Sequence, residues 1–506
     1  MIRSLTCSAA ALLLAAPSLK GQLPYLTAPA GTLRIELDGA FMPTSREYAD
    51  GTSRRLGDPI TGGNTLAGDL DARLTQLLGR PASPASSGSL SVDLMHQRGE
   101  GGVGLAVGVS QRLTLSMRLP IVSVRTESRL VQDGATATLG INPALLGDGT
   151  SDAWLTQFAA SLEELQLRRD AGEYAGNPQL LALANSILAT APAWRAGVAD
   201  LLIDEGRASL LLPLATSLDG TALLGQAAVY RDQLSDALGV SAPSGQLALP
   251  LEGMTSEEFN DLLTDPLGFG LAPVEEQPFV GLGDAEIGVV YSLAGNVNPE
   301  RRRWFGAWLT GGLTLPTGTP PRPDRLRDQG TGDGQLDVRV GGTVELGHGR
   351  LGLRAEGGYH LQLTGSRETR IGGRDAFLLP AARQATLDWD PGDILTLTAR
   401  PFFRLADRLA ITGSVSWFRR GEDRWSERAA GALAGEVASM GAGSNGSALR
   451  LGAGLSYAHD GRHVDGVQRV PVEAGLAVER TAWSGAGLVA QQTVTRMWFR
   501  VYKRLW

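Results

Sequence analysis

For long stretches of this chain aliphatic and polar residues alternate with a period of two, about ten residues at a time. In Leu33–Phe41, Leu33, Ile35, Leu37 and Phe41 stand against Arg34, Glu36 and Asp38. Between Leu336 and Leu346, Leu336, Val338, Val340, Val344 and Leu346 alternate with Asp337, Arg339, Thr343 and Glu345. The next segment sets Leu351, Leu353, Ala355, Tyr359, Leu361 and Leu363 against Arg354, Glu356, His360 and Gln362. Leu395, Leu397, Ala399 and Phe403 then alternate with Thr396, Thr398, Arg400 and Arg404. Successive side chains of an extended strand point to opposite faces, so each segment predicts a strand with one aliphatic and one charged face.

A soluble sandwich alternates as well. Three features point instead to a strand whose aliphatic face meets lipid and whose charged face meets a lumen. The polar face carries full charges and glycine. Tight turns (Ser110–Arg112, Gly347–Arg350, Ala406–Arg408) alternate with long loops (Pro316–Gly334, Gly365–Gly392, Arg419–Gly446). The chain stops on an alternating segment, Gln491–Trp506, with a terminal aromatic. The expectation is a transmembrane antiparallel up-and-down β-barrel of about twelve strands, with short turns and both termini on the periplasmic side and long loops outside. Strands are predicted near 31–42, 88–109, 113–126, 284–293, 304–315, 335–346, 351–364, 393–405, 409–418, 447–458, 468–480 and 490–506. Ser89–Val109 is too long for one crossing and is interrupted by Gly99, Gly101 and Gly102. It reads either as one strand rising above the membrane or as two. Aromatics near strand ends (Trp304, Phe305 and Trp308; Phe402 and Phe403; Trp417 and Phe418; Trp498, Phe499, Tyr502 and Trp506) are expected to form interfacial girdles.

Between Glu127 and Gly283 the alternation gives way to helical spacing. Asp152–Arg169 places Trp154, Leu155, Phe158, Leu162 and Leu165 on one face. Gln179–Ala189, opened by Pro178, and Thr221–Leu238 are further helices, and Thr255 with Glu258 forms a capping-box pattern. A short helix is expected at Leu66–Leu78. A loop of this length without structure is improbable, so the segment is read as a helical cap or plug, its apolar faces packed on each other, on the barrel rim, or on a ligand or partner.

Composition narrows the class. The chain has 506 residues, 66 of them glycine, and a net charge of −7. Its mean hydropathy is near zero, and no apolar run approaches the roughly 20 residues of a membrane helix. Residues 1–21 read as an export signal, with Arg3 before an apolar Ala9–Ala16 and small residues toward the cleavage region. Cys7, the single cysteine, falls inside it. Basic residues are scattered, against a nucleic-acid partner. His96, His348, His360, His459 and His463 fall on separate segments, so no nucleophile–base pair or metal set is expected. Neither the pairing of His459 and His463 with Asp460 and Asp465 nor the Gly-Asp-rich Asp328–Gly334 matches a defined metal loop. The lumen-facing candidates are Arg34, Glu36, Asp38, Arg118, Asp337, Arg339, Arg354, Glu356, His360, Arg400, Arg404 and Glu473. Their mixed sign predicts ion pairs across the lumen rather than a single-sign selectivity ring.

Several phrases carry a family resemblance: Val109-Ser110-Gln111-Arg112-Leu113-Thr114-Leu115 running to Leu119-Pro120, then Gly281–Tyr291, Gly312–Gly318 and Gly330–Val340. They resemble strand and turn idioms of the outer-membrane family named for the MetA pathway of phenol degradation. The resemblance spans four or five strands and implies a barrel for uptake of small, often apolar compounds. Arg504 departs from the apolar alternation usual in a terminal strand. The expected organisation is a signal (1–21), N-terminal strands with an external loop (22–126), the helical insertion (127–283) and C-terminal strands (284–506). Expected partners are outer-membrane lipid, the barrel-assembly machinery and a small-molecule substrate. No cofactor and no enzymatic activity are expected. A passive channel or uptake barrel is one reading. A plugged surface barrel whose insertion contacts a partner is the other.

Overall fold

All twelve alternating segments form strands: β1 (Thr32–Thr44), β2 (Ser89–Gly108), β3 (Leu113–Asp133), β4 (Ala285–Asn296), β5 (Arg303–Leu315), β6 (Asp337–His348), β7 (Leu351–Gln362), β8 (Ile394–Ala406), β9 (Leu409–Arg420), β10 (Gly446–His459), β11 (Val472–Ala486) and β12 (Thr493–Arg504). They belong to a computed structural model that describes residues 26–62, 70–204, 207–272, 278–296, 303–406, 408–427, 434–459, 463–464, 467–468 and 471–506. The expected export signal with Cys7, Asp460 and Asp465, and the side chains of His459 and His463, lie outside the described residues. Each strand pairs antiparallel with its sequence neighbours, and β1 closes the ring by pairing with both β2 (Leu33↔Val107) and β12 (Thr32↔Arg504). Closure leaves no open edge, the condition for strands to cross a hydrocarbon layer. No helix among the described residues is long and apolar enough to do so.

The period of two sorts the wall into two surfaces. Leu115, Val340, Leu397, Leu451 and Met497 point outward and are about half exposed, whereas Arg34, Glu345, Arg354, Arg400 and Arg500 point inward and are buried. A soluble barrel would show the inverse.

The girdle expectation needs correction. Trp304, Trp308, Phe402, Phe418, Trp498 and Tyr502 are buried inside the barrel, while Phe305, Phe403, Phe499 and Trp506 are exposed outside. Adjacent residues of a strand face opposite ways, so every aromatic pair is split between surfaces. Three of the inward rings lie against glycines of neighbouring strands. A Cβ on Gly347 would fall 1.9 Å from the Trp304 ring, on Gly352 2.0 Å from Phe402, and on Gly475 2.0 Å from Trp498. These rings narrow the barrel toward the short-turn end.

Ser89–Gly108 is a single strand, paired with β3 without a break from Ser89↔Asp133 to Gly108↔Thr114. The hairpin therefore runs seven residues past the boundary expected at 126, and its far end carries Leu90, Val92 and Leu94 into the core of the cap. A short strand, Phe279–Leu282, pairs with β3 before β4 begins.

The helices of the cap are α1 (Leu70–Leu78), α2 (Thr150–Asp170), α3 (Pro178–Leu202), α4 (Leu218–Asp232) and α5 (Ser256–Thr264). Asn177 caps α3 through Gln179 N and Leu180 N, and the Thr255–Glu258 capping box is formed. Helix α3 continues well beyond the expected Ala189, through Pro192. Ala191, Trp194, Val198 and Leu201 keep its buried face going at helical spacing, and that burial outweighs the breaker's roughly 3 kcal/mol. Helix α4 ends at Asp232, and Gln233–Ala237 form one wider turn. Trp154 and Phe158 stack at 5.1 Å between ring centroids, and Trp194 meets both edge-on at 6.2 and 5.8 Å. The cap is not residues 127–283 alone. Leu70 and Leu74 of the first loop, Leu326 and Leu378 share its core.

Candidate functional site

Inward carboxylates of β1, β2 and β4 converge on one guanidinium of β3. Arg118 of β3 donates to Asp38 of β1 (Nε 2.9 Å, Nη2 2.5 Å), to Glu100 of β2 (2.8 Å) and to Glu286 of β4 (3.2 Å). Arg339 of β6 reaches past β5 to the same Glu286 at 2.6 Å. Space for the fork comes from Gly102 of β2, where a Cβ would lie 2.7 Å from Arg118 Nε and 2.8 Å from Asp38 Oδ2. The glycine that seemed to interrupt a strand is the place the guanidinium occupies.

The other candidates lie on the same inner surface in separate pairs. Arg500 of β12 donates to Glu36 (2.8 Å) and Glu473 (3.4 Å), and the Tyr502 hydroxyl donates to Glu473 at 2.7 Å. Arg34 stands 3.9 Å from Glu36. Arg400 donates to Glu356 at 2.7 Å, and Arg354 pairs with Glu345. Arg404 lies 4.2 Å above the Trp304 ring. His360 and Asp337 are buried at the long-loop half of β7 and β6, where His360 faces Arg339 across the ladder. Arg98, Glu100, Arg496 and Arg500 also point inward, and the sequence reading missed them. Their signal was present in the parity of Arg98, Glu100, Gly102 and Gly104, and of Val494, Arg496, Trp498 and Arg500.

Arg118, Asp38, Glu100, Glu286, Arg339 and Arg496 line a cavity of about 340 Å³, within the range of small-molecule sites. Its ceiling is the loop after β5. Arg98 donates to the carbonyls of Gly330 (3.2 Å) and Thr331 (3.3 Å), and Thr331 Oγ1 donates to the Leu282 carbonyl at 2.6 Å. Gly318 N and Asp333 N donate to the Asp284 carboxylate at 2.8 and 3.1 Å. The floor includes Leu26, held by Ala28 N donating to Thr114 Oγ1 at 2.8 Å. Among the described residues no three acidic, histidine or cysteine side chains converge as a metal site requires. In the Gly-Asp stretch, Asp328 instead accepts from Arg322 N and Asp333 from Gln335 N, as turn residues do.

No protein-family model and no curated protein matches the chain. Among solved structures it is similar to an outer membrane channel from Pseudomonas putida F1 (9% identity over 96% of this chain and 99% of that one, TM-score 0.42). It is also similar to the Pseudomonas putida toluene transporter TodX (10% identity, 99% and 96% covered, TM-score 0.26) and to a Pseudomonas aeruginosa FadL homologue (8% identity, 94% and 90% covered, TM-score 0.26). The assignment as a closed barrel rests on the strand ladder of this chain alone.

The ceiling carries a pH dependence. Burial, the largest influence on each, holds the Asp333 and Asp284 carboxyls above the ordinary carboxylate range. A carboxyl raised by folding stabilises when protonated, and that contribution is lost as pH rises through the shifted value. Amide exchange at Thr331–Asp333 is therefore expected to slow as pH is lowered from neutral toward the ordinary carboxylate range, after correction for intrinsic rates. Asp333→Asn should flatten the dependence; equal pH profiles for both proteins would contradict it.

Proposed function

We propose that this chain is an outer-membrane barrel that passes small compounds through its lumen, with the loop after β5 as the gate and the helical cap around the outer mouth. One observation carries the reading. A cavity lined by both charged and apolar residues sits inside an apolar-surfaced ring, and the loop segment over it, Gly330–Asp333, is held by hydrogen bonds. The same reading gives the long loops an external position, the N-terminal residues an export signal, and the barrel-assembly machinery the task of insertion. Uptake of small, often apolar compounds is what the resemblance to the family of the MetA pathway of phenol degradation adds.

Planar-bilayer recording of the full chain tests it. Arg98→Ala removes the side-chain bonds to the Gly330 and Thr331 carbonyls, and should raise the open fraction at least several-fold over a low wild-type conductance. The point variant is more selective than deleting residues 140–275, which strips most of a core shared with α1 and the β2–β3 hairpin. Silence of the wild type, of Arg98→Ala and of the deletion would refute a pore. That silence would favour a plugged barrel whose cap contacts a partner, a reading supported by the Thr331–Asp333 segment on one side of the cavity and Leu26 on the other.

A further inference from the structure

Two inner-wall guanidiniums are left over from the ion pairing just described. Arg450 of β10 and Arg496 of β12 each keep a buried Nε and Nη2 without a hydrogen-bond partner. Arg450 is only 5% exposed, and its guanidinium lies 5.4 Å from the Phe418 ring. Between their strands stands Glu479 of β11, which accepts from Ser414 Oγ at 2.8 Å. Glu100, the other carboxylate that acts on Arg496, is engaged by Arg118 at 2.8 Å. Arg400 and Arg118 add positive charge facing Arg496. A guanidinium presents its N–H groups as a planar fork that matches a carboxylate two bonds at a time, and leaving such groups dry and unpaired is costly.

Arg496 also borders the 340 Å³ cavity, together with apolar surface from Leu26, Pro120, Val122 and Trp498. A cationic fork beside an aromatic and aliphatic wall suits a ligand with a carboxylate at one end and a small apolar body at the other. We infer that the lumen contains an organic-anion site anchored by Arg496, with Arg450 behind it adding positive field, so that the preferred permeant is a small aromatic or aliphatic carboxylate rather than a neutral hydrocarbon. This deepens the channel reading and rests on it only for transport; binding at the site stands by itself.

The full chain, refolded in detergent, is titrated with benzoate and with its neutral isostere benzamide, following tryptophan fluorescence and calorimetric heat. Benzoate should bind at least ten-fold more tightly than benzamide, a comparison that needs no variant. Arg496→Gln should remove that preference and Arg496→Lys should restore part of it, with heat-modifiable gel mobility confirming that each barrel folds. Equal binding of benzoate and benzamide, benzoate binding undiminished in a folded Arg496→Gln barrel, or sulfate displacing benzoate at equal concentration would each overturn the proposal. In proteoliposomes, benzamide and benzoate entering at the same rate would sink the anion site and leave the channel standing. Tight benzoate binding without any flux would do the reverse.

Discussion

Arg118→Ala is expected to lower the stability of the barrel by about 3 kcal/mol, the scale seen when one partner of a buried charge cluster is removed. Three carboxylates, Asp38, Glu100 and Glu286, share this single guanidinium. Without it they repel one another in the lumen, with Arg339 still bonded to Glu286 and Arg98 4.0 Å from Glu100. The guanidinium keeps about a quarter of its surface, which places the effect at the lower end of the range. The loss should show as a shifted urea midpoint and as a gel band that converts to the unfolded mobility at lower temperature. Neutralising the carboxylates tests the cause. Adding Asp38→Asn and Glu100→Gln to Arg118→Ala should recover most of the stability, because an unpaired buried charge is worse than no charge. A triple variant as weak as the single one would show that packing of the arginine stem, not its charge, holds the strands. Gly102→Ala should mimic a milder form of the defect, since its methyl would occupy the guanidinium's place.

Gly347→Val is the second large effect. Trp304 covers Gly347 so closely that a Cβ there would fall 1.9 Å from the ring. The indole would have to leave a site where Nε1 donates to Glu345 at 3.3 Å, the ring stacks with Phe402 at 6.4 Å, and Arg404 lies over its face. Overpacking of this kind costs about 1–3 kcal/mol, and loss of the indole hydrogen bond puts the expectation at the upper end. Gly342→Ala on the same strand is the control. The nearest atom to its Cβ is 3.7 Å away, an ordinary contact, so stability should hardly change. Combining Gly347→Val with Trp304→Ala should be less harmful than the sum of the two, because the clash disappears with the ring. Additive losses would mean that the glycine matters for its backbone and not for the ring above it.

The strand order and the sidedness of the wall were legible in the sequence because both follow from one local rule. A period of two assigns each residue to a face without reference to any partner. Leu336–Leu346 and Leu351–Leu363 could therefore be read strand by strand, and closure followed from the even number of segments. The same rule applied to single residues would have placed Trp304 inside and Phe305 outside. Reading aromatics by their clustering instead of by parity caused that error. The opening signals at Pro178 and Thr255 were equally local, and both helices start there.

Pairing across the lumen was not legible, because it depends on which strands the closed ring brings face to face. Nothing near Arg118 in the sequence announces Asp38, 80 positions away, or Glu286, 168 positions away. Nor does local spacing indicate that Gly102 is an opening for a guanidinium, or that Leu74, Leu90 and Leu326 share one core. Alternation alone thus determined a lipid-facing cylinder with charges inside and a helical segment needing cover. The tertiary structure decided how those charges cancel, that the loop after β5 roofs the cavity, and that Arg450 and Arg496 keep guanidinium nitrogens without a hydrogen-bond partner. The physical reason is that the facing of a side chain is a property of its own strand, whereas the neutralisation of a charge depends on distances that exist only after the ring has closed.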